Sequence, residues 1–238
     1  MKIAIIGYGK MGHEIEKVLL ARGHSVVLCI DKENTAQMTD ENLQKADVAI
    51  EFSAPDVAYH NILRCIEAHV PVVCGTTAWL DKYDEVTKRC NALNGAFFYA
   101  SNYSVGVNLF FAVSRHLADM MSQFSNYDVT LSEVHHTAKK DAPSGTAITL
   151  AEGILESAGR KKQWHLGTTT QPEQLEVTSM RRSVAAGTHT VVWESESDII
   201  EIEHMAKDRS GFAVGAVMAA EFLVGRHGVF TMKDMLGL

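Results

Sequence analysis

Gly7-Tyr8-Gly9-Lys10-Met11-Gly12 follows the apolar run Lys2-Ile3-Ala4-Ile5-Ile6 directly. It opens a stretch, Lys10–Arg22, in which Met11, Ile15, Val18 and Leu19 recur at helical spacing. A strand, a glycine turn and an amphipathic helix in this order form the first unit of a parallel sheet that holds a dinucleotide. The first glycine permits the tight turn, the second lets the backbone approach a pyrophosphate, and the third lets helix and strand pack closely. The helix-start N–H groups then hold the anion. Asp31, closing a second strand at Ser25–Ile30, stands roughly 20 residues beyond the loop, where this fingerprint places an acid for the ribose hydroxyls. An acid there favours the free 2′-hydroxyl of NAD, and the neighbouring Lys32 suits the 2′-phosphate of NADP. The pair predicts use of both with modest discrimination.

Working outward, strands are expected at Asp47–Phe52, Val70–Cys74 and Ala96–Ala100, with helices at about Asp56–His69 and Trp79–Leu93. That alternation predicts a parallel sheet with right-handed crossovers. From about Asn108 the rhythm changes. A long helix, Leu109–Ser122, precedes Asp128–His136, where Val129, Leu131, Glu133 and His135 alternate with Asp128, Thr130, Ser132, Val134 and His136. A polar loop, a helix and an apolar-poor tract, Gly159–Gln174, come next. Two β-rich stretches, Gly187–Glu194 and Asp198–His204, and an apolar helix, Phe212–Val224, complete the chain. The expected fold class is α/β: a Rossmann-like dinucleotide-binding domain (1–106 and 209–238) plus an α+β substrate-binding and oligomerisation domain (107–208) with a mixed, open sheet.

The 238 residues carry 22 Lys+Arg against 29 Asp+Glu, a net charge of −7. This balance argues against a general binder of nucleic acid or anionic membrane. The apolar runs are too short for a membrane span, and the N-terminus reaches its glycine loop too early for a secretory signal. A soluble, cytoplasmic chain is expected. Cys29, Cys65, Cys74 and Cys90 lack CxxC spacing and read as small buried hydrophobes. Gly159-Arg160-Lys161-Lys162 reads as a solvated basic loop.

The stretch richest in chemistry is Glu133-Val134-His135-His136-Thr137-Ala138-Lys139-Lys140-Asp141-Ala142-Pro143-Ser144-Gly145-Thr146-Ala147. It is a strand end, a polar loop and a helix start. Ser144 is the expected N-cap, and Gly145 and Thr146 offer first-turn donors to a carboxylate. A histidine near its ordinary pKa carries protons at neutral pH. No third ligand of suitable type stands near the histidine pair in sequence, so no metal is expected.

The run E-x-H-H-x-x-K-x-D-A-P-S-G-T-A resembles the signature of the dihydrodipicolinate reductases. The resemblance extends through Gly75-Thr76-Thr77, Ala100 to Asn108, Gly187-Thr188-His189-Thr190, Phe212 to Ala216 and Met232 to Leu236. It implies hydride transfer from NADH or NADPH to a cyclic, unsaturated imine dicarboxylate, formed by loss of water from a hydroxylated precursor, giving tetrahydrodipicolinate. It also implies His135 as proton donor/acceptor and Lys139 as proton donor, with His136, Gly145, Thr146 and Thr77 near the substrate. The cofactor residues it implies are Gly7, Tyr8, Gly9, Lys10, Met11, Gly12, Asp31, Lys32, Gly75, Thr76, Thr77, Ala100, Ser101, Asn102, Tyr103 and Arg209. A homotetramer and domain closure, with hinges near 104–108 and 206–210, follow from the resemblance alone. Three departures concern the cofactor side: a first loop one residue shorter with Lys10 where many members have arginine, Glu51-Phe52-Ser53 in place of Asp-Phe-Thr, and a short excursion between Asp31 and Asp47. Two other readings are another amino-acid-pathway dehydrogenase and a non-catalytic nucleotide-sensing regulator. A semialdehyde dehydrogenase would need a nucleophilic cysteine, and none lies beside the His–Lys loop in sequence.

Overall fold

β1 (Lys2–Ile6) buries both faces, and only a central strand of a covered sheet does so. In a computed structural model that describes residues 1–182 and 186–238, it lies between β2 (Ser25–Ile30) and β3 (Val48–Glu51), parallel to both. β4 (Val72–Cys74), β5 (Ala96–Tyr99) and β11 (Gly228–Phe230) extend the sheet in the order β11-β5-β4-β3-β1-β2, every pair parallel. The alternation along β1 assigns the two cores. Ile3 and Ile5 join Ile15 and Leu19 of α1 (Lys10–Ala21) and Ala213, Ala216 and Val217 of α7 (Ser210–Leu223). Ala4 and Ile6 join Ile62 and Cys65 of α3 (Pro55–Glu67) and Val86 and Cys90 of α4 (Tyr83–Ala92). The short excursion after Asp31 contains a single α-helical turn, α2 (Asp40–Leu43), capped by Thr39. The C-terminal α8 (Met232–Leu236) is held by a Thr231–Asp234 capping box.

The chain divides into two units, Met1–Val105 with Ser210–Leu238, and Gly106–Arg209. These limits differ by one residue from the expected 1–106 and 209–238. The divisions fall at helix starts: α5 (Val105–Met121) begins at Val105 and α7 at Ser210.

The second unit is a mixed five-stranded sheet in the order β10-β9-β6-β8-β7. Its centre is β6 (Asp128–His135), antiparallel to β9 (Thr188–Glu194) and parallel to β8 (Gln174–Arg181). β10 (Ile199–Met205) and β7 (Gln163–Leu166) are the edges. α5 and α6 (Gly145–Ala158) supply Phe110, Ala118, Leu150, Ala151 and Ile154 to a core with Val129, Leu131, Val191 and Trp193. β7 and β8 are absent from the sequence expectation. Glu176, Thr178 and Ser179 dilute the apolar signal of β8, and only its Leu175 and Val177 are buried. The basic patch also differs from a solvated loop. Lys161 is buried with Nζ 2.6 Å from Asp128, and the Arg160 guanidinium donates to the Phe124, Ser125 and Tyr127 carbonyls. Among the described residues no helix is long and apolar enough to cross a membrane.

α7 is rich in alanine and glycine because it lies against backbone. A Cβ at Gly215 would stand 1.7 Å from the Tyr103 carbonyl oxygen, whereas one at Gly211 would meet only Ser104 Oγ, at 3.7 Å. Gly215→Ala should therefore cost about 3 kcal/mol or more by overpacking. Gly211→Ala should be neutral or stabilising by up to about 1 kcal/mol. Chemical denaturation of the two variants checks this, and equal stabilities would contradict the packing described.

Candidate active site

In the first unit, the end of β1 meets β2 and β3 at the glycine loop, whose three glycines do different work. Gly7 has φ +92°, and a Cβ there would stand 2.1 Å from the Phe52 carbonyl oxygen. A Cβ at Gly12 would stand 2.5 Å from the Gly7 carbonyl oxygen, so these two serve the fold. Gly9 has nothing within 4 Å of its missing Cβ. It lines a cavity of about 360 Å³ with Lys10, Met11, Phe52, Ser53, Gly75, Thr76 and Thr77. α1 starts there without a side-chain cap and without an acid in its first turn, which leaves its N–H groups to an anion.

Backbone hydrogen bonding brings Asp31 beside this loop, since the Gly7 N–H donates to the Ile30 carbonyl at 2.8 Å. Asp31 and Lys32 are both exposed. The Lys32 N–H donates to Asp31 Oδ1 at 2.7 Å, and Asn34 Oδ1 accepts the Asp31 N–H. Tyr8 and Tyr103 take structural positions. The Tyr8 hydroxyl donates to Glu16, and Tyr103 is buried with its hydroxyl on the Cys74 carbonyl at 2.6 Å. Ala100 is buried and Ser101 exposed. Arg209 is exposed and is the last residue of the second unit. The Glu-Phe-Ser departure is accommodated internally. Fully buried Glu51 accepts from the Ser53 N–H and hydroxyl and from the Cys74 thiol, and the Ser53 N–H also reaches Thr76 Oγ1 at 2.8 Å. Burial beside Glu51 pushes the Cys74 thiol well up.

In the second unit, strand register assembles the cluster. Glu133 and His135 share the inward face of β6. Glu133 is paired across to His189 on β9 and to Ser179 on β8, and His135 is opposite Arg181. The Glu133 carboxylate is fully buried. It accepts from Ser179 Oγ at 2.9 Å, from Arg181 Nη2 at 3.2 Å and, through both oxygens, from the Ser144 N–H at 3.1 Å. Its Oε2 lies 3.3 Å from His135 Nδ1 and 3.6 Å from His189 Nε2. Burial alone would raise this carboxyl, but the hydrogen bonds from His189, Ser144 and Ser179 outweigh it and hold it well below the usual carboxylate range. His135 is pushed down to about 4, chiefly by burial. Glu133 opposes the shift, and His189, Lys139 and Arg181 add to it. The expected histidine of ordinary pKa is thus a neutral imidazole at neutral pH.

Ser144 caps α6 as expected, accepting the Ala147 N–H at 3.1 Å, and its Oγ also meets His189 Nε2 at 3.1 Å. Beyond it Gly145 is exposed with nothing within 4 Å of its missing Cβ. Lys139 Nζ pairs with Asp141 at 2.9 Å, and half-buried His136 is the first residue after β6. Residue spacing alone gives no role to Glu133, His189, Ser179 or Arg181. The available signal is a carboxylate at an inward position of β6. Glu133, His135 and His189 also bring three ligand-type side chains together, which corrects the expectation that no third one stands near. However, Arg181 and the Ser144 N–H already occupy the carboxylate, and a divalent cation would be repelled by Arg181 and Lys139.

Comparisons with known proteins agree along the whole chain. Residues 1–103 match the family model "Dihydrodipicolinate reductase, N-terminus", and residues 106–236 match "Dihydrodipicolinate reductase, C-terminus". A 4-hydroxy-tetrahydrodipicolinate reductase of Christiangramia forsetii is 47% identical over 236 residues, 99% of this chain and 98% of that protein. The enzyme of that name from Neisseria gonorrhoeae is 34% identical over 209 residues, covering 84% of this chain and 76% of its own. A solved structure of dipicolinate-bound dihydrodipicolinate reductase from Paenisporosarcina sp. TG-14 shares the fold, with a TM-score of 0.80 over 98% of both chains at 20% identity.

The glycine loop offers a separation of folding from binding. Gly9→Ala should cost about 1 kcal/mol or less in stability yet weaken dinucleotide binding about 10-fold or more, because its methyl group enters the pyrophosphate space. Gly7→Ala should unfold the unit instead. Denaturation and titration with NADH check both, and unimpaired binding by Gly9→Ala would place the pyrophosphate elsewhere.

Proposed function

The chain belongs to the dihydrodipicolinate reductase family, and on that premise we propose that it reduces the cyclic unsaturated imine dicarboxylate derived from 4-hydroxy-tetrahydrodipicolinate to tetrahydrodipicolinate. The observation that carries this reading is the union, in one unit, of buried His135, the Lys139 ammonium and the Ser144-capped helix start. A dianionic substrate needs cations and helix-start donors, and hydride addition needs a proton source. Dipicolinate, the molecule bound by the Paenisporosarcina relative, is a dicarboxylate of this kind.

The bound nicotinamide supplies the hydride. The Gly7–Gly12 loop holds the pyrophosphate, Asp31 and Lys32 meet the ribose, and Gly75-Thr76-Thr77 and the backbone of Ala100–Tyr103 line the nicotinamide end. Arg209 is assigned to cofactor contact. His136, Gly145 and Thr146 receive a substrate carboxylate, and Thr77 is assigned to substrate contact. Loss of water gives a proton to the departing hydroxyl and takes one from the adjacent ring carbon: the Lys139 ammonium donates the first, and His135, held neutral by burial, accepts the second. Hydride addition then needs one proton on the ring, which the protonated His135 returns. Asp31 beside Lys32 supports use of both NADH and NADPH. Exposed Ile199, Ile200 and Met205 on edge strand β10 support a homotetramer built through the second unit. Four free cysteines suit the cytoplasm. All four lie in the first unit, three of them buried, which disfavours a thiol-dependent semialdehyde dehydrogenase.

Substrate generated enzymatically and mixed with each coenzyme should oxidise both NADH and NADPH; oxidation of neither overturns the reading. His135→Gln and Lys139→Ala should each lower kcat by roughly 10²- to 10⁴-fold while leaving coenzyme affinity unchanged. Near-normal turnover in the double variant would remove both residues from the chemistry. Lys32→Ala should raise the NADH/NADPH ratio of kcat/KM about 10-fold through loss of one charge-assisted phosphate contact. An unaltered ratio would place 2′-phosphate recognition on another side chain.

A further inference from the structure

A carboxylate buried without solvent is expensive unless it is fully hydrogen-bonded, and Glu133 meets that condition with donors from several elements. α6 contributes the Ser144 N–H at its cap, and β8 contributes Ser179 and Arg181. Imidazoles from β6 and β9 close on its second oxygen. The donors from β8 go to Oε1, and Oε2 is left facing His135 Nδ1 at 3.3 Å. Nδ1 is itself buried and makes no hydrogen bond of good geometry among the described residues, so Oε2 at 3.3 Å is the acceptor poised to take its proton. The opposite ring nitrogen, Nε2, has a different setting. It faces the backbone of Gly187, where φ is +139° and a Cβ would stand 3.1 Å from it. The His189 ring packs edge-on against His135, with centroids 5.1 Å apart and planes at 75°, and so limits rotation of the imidazole.

We propose that Glu133 is a positioning residue that holds His135 in the Nδ1–H tautomer, leaving Nε2 as its proton-accepting atom, and that the same carboxylate seats the α6 start where a substrate carboxylate binds. The second half follows from Ser144, whose N–H is spent on Glu133 while its Oγ caps the helix and meets His189. One buried charge thereby couples the acid–base group to the anion site. The proposal rests on the reading of His135 as a proton carrier. The ionisable groups that face the imidazole are Glu133 on its own strand, His189 from β9, Arg181 from β8 and Lys139 from the following loop. Exchange of Glu133 for glutamine leaves one acceptor oxygen where there were two; Ser179 and Arg181 hold it at the Oε1 position, so the NH₂ is turned toward Nδ1 and no longer selects Nδ1–H.

The test is the imidazole nitrogen spectrum of the full-length protein, with the His135 signals assigned by their loss in His135→Gln. At neutral pH the unsubstituted protein should show neutral His135 protonated on Nδ1, and Glu133→Gln should lose that preference. Glu133→Gln should also lower kcat on the order of 10²-fold, raise KM for the dicarboxylate, and leave NADH affinity unchanged. Glu133→Asp should recover part of kcat. An Nε2–H tautomer in the unsubstituted protein overturns the proposal, as does a Glu133→Gln variant with unchanged tautomer and pH profile. Should Glu133→Gln fail to fold, the spectrum of the unsubstituted protein decides alone. That spectrum needs no substrate. Absence of turnover in the unsubstituted protein would instead overturn the assigned reaction, so the two failures are distinct.

Discussion

A single buried carboxylate organises the second unit. Removing Glu133 from water is tolerable only because hydrogen-bond donors converge on it from a strand on each side and from the start of a helix. This requirement constrains the strand register, since a slip of one residue in β6 would turn Glu133 and His135 to the opposite face. It also fixes the position of α6, whose cap serine is bound to that carboxylate. The low proton affinity of His135 belongs to the same arrangement. Burial disfavours the imidazolium, and the neighbouring cations disfavour it further, so the negative charge of Glu133 does not restore it.

The first unit meets the opposite problem: it must present backbone to a ligand without filling the space. Gly7 and Gly12 are required by contacts already present within the protein. Gly9 has no neighbour within 4 Å of a hypothetical side chain, and neither has Gly145 in the second unit; each stands at a helix start. Their lack of side chains has no counterpart in internal packing. The Glu51-Phe52-Ser53 departure from the family pattern is absorbed beside the glycine loop, because the longer carboxylate folds back onto the Ser53 hydroxyl and N–H.

Much of this architecture is legible in the amino-acid sequence. The run from Lys2 to Gly12 carries its strand, turn and helix in residue spacing alone, and the continuous apolar strands of the first sheet have few competing interpretations. The alternation in Asp128–His136 places Glu133 and His135 on one face. What it does not supply is the partner strands. β8 carries only two buried apolar residues, so its periodicity is faint, and Ser179 and Arg181 gain a role only through their pairing with β6. Lys161 escapes for a related reason, because a lysine buried against Asp128 and the Gln174 carbonyl looks in sequence like any solvated cation. Spacing reports which residues share an element; which elements become neighbours is decided by long-range pairing.

The division of the first unit between Met1–Val105 and Ser210–Leu238 has a consequence for how the chain is made. Synthesis proceeds from the N-terminus, and domains tend to fold as they emerge. When residue 105 leaves the ribosome, the face of the sheet bearing Ile3, Ile5 and Val73 lacks α7, which supplies Ala213, Ala216, Val217 and Ala220 to that core. β5 likewise lacks its parallel neighbour β11. The inserted unit is continuous in sequence and can close while the earlier one waits half-covered. The first unit therefore cannot complete its sheet or cover that face until the segment from Ser210 onward has been made.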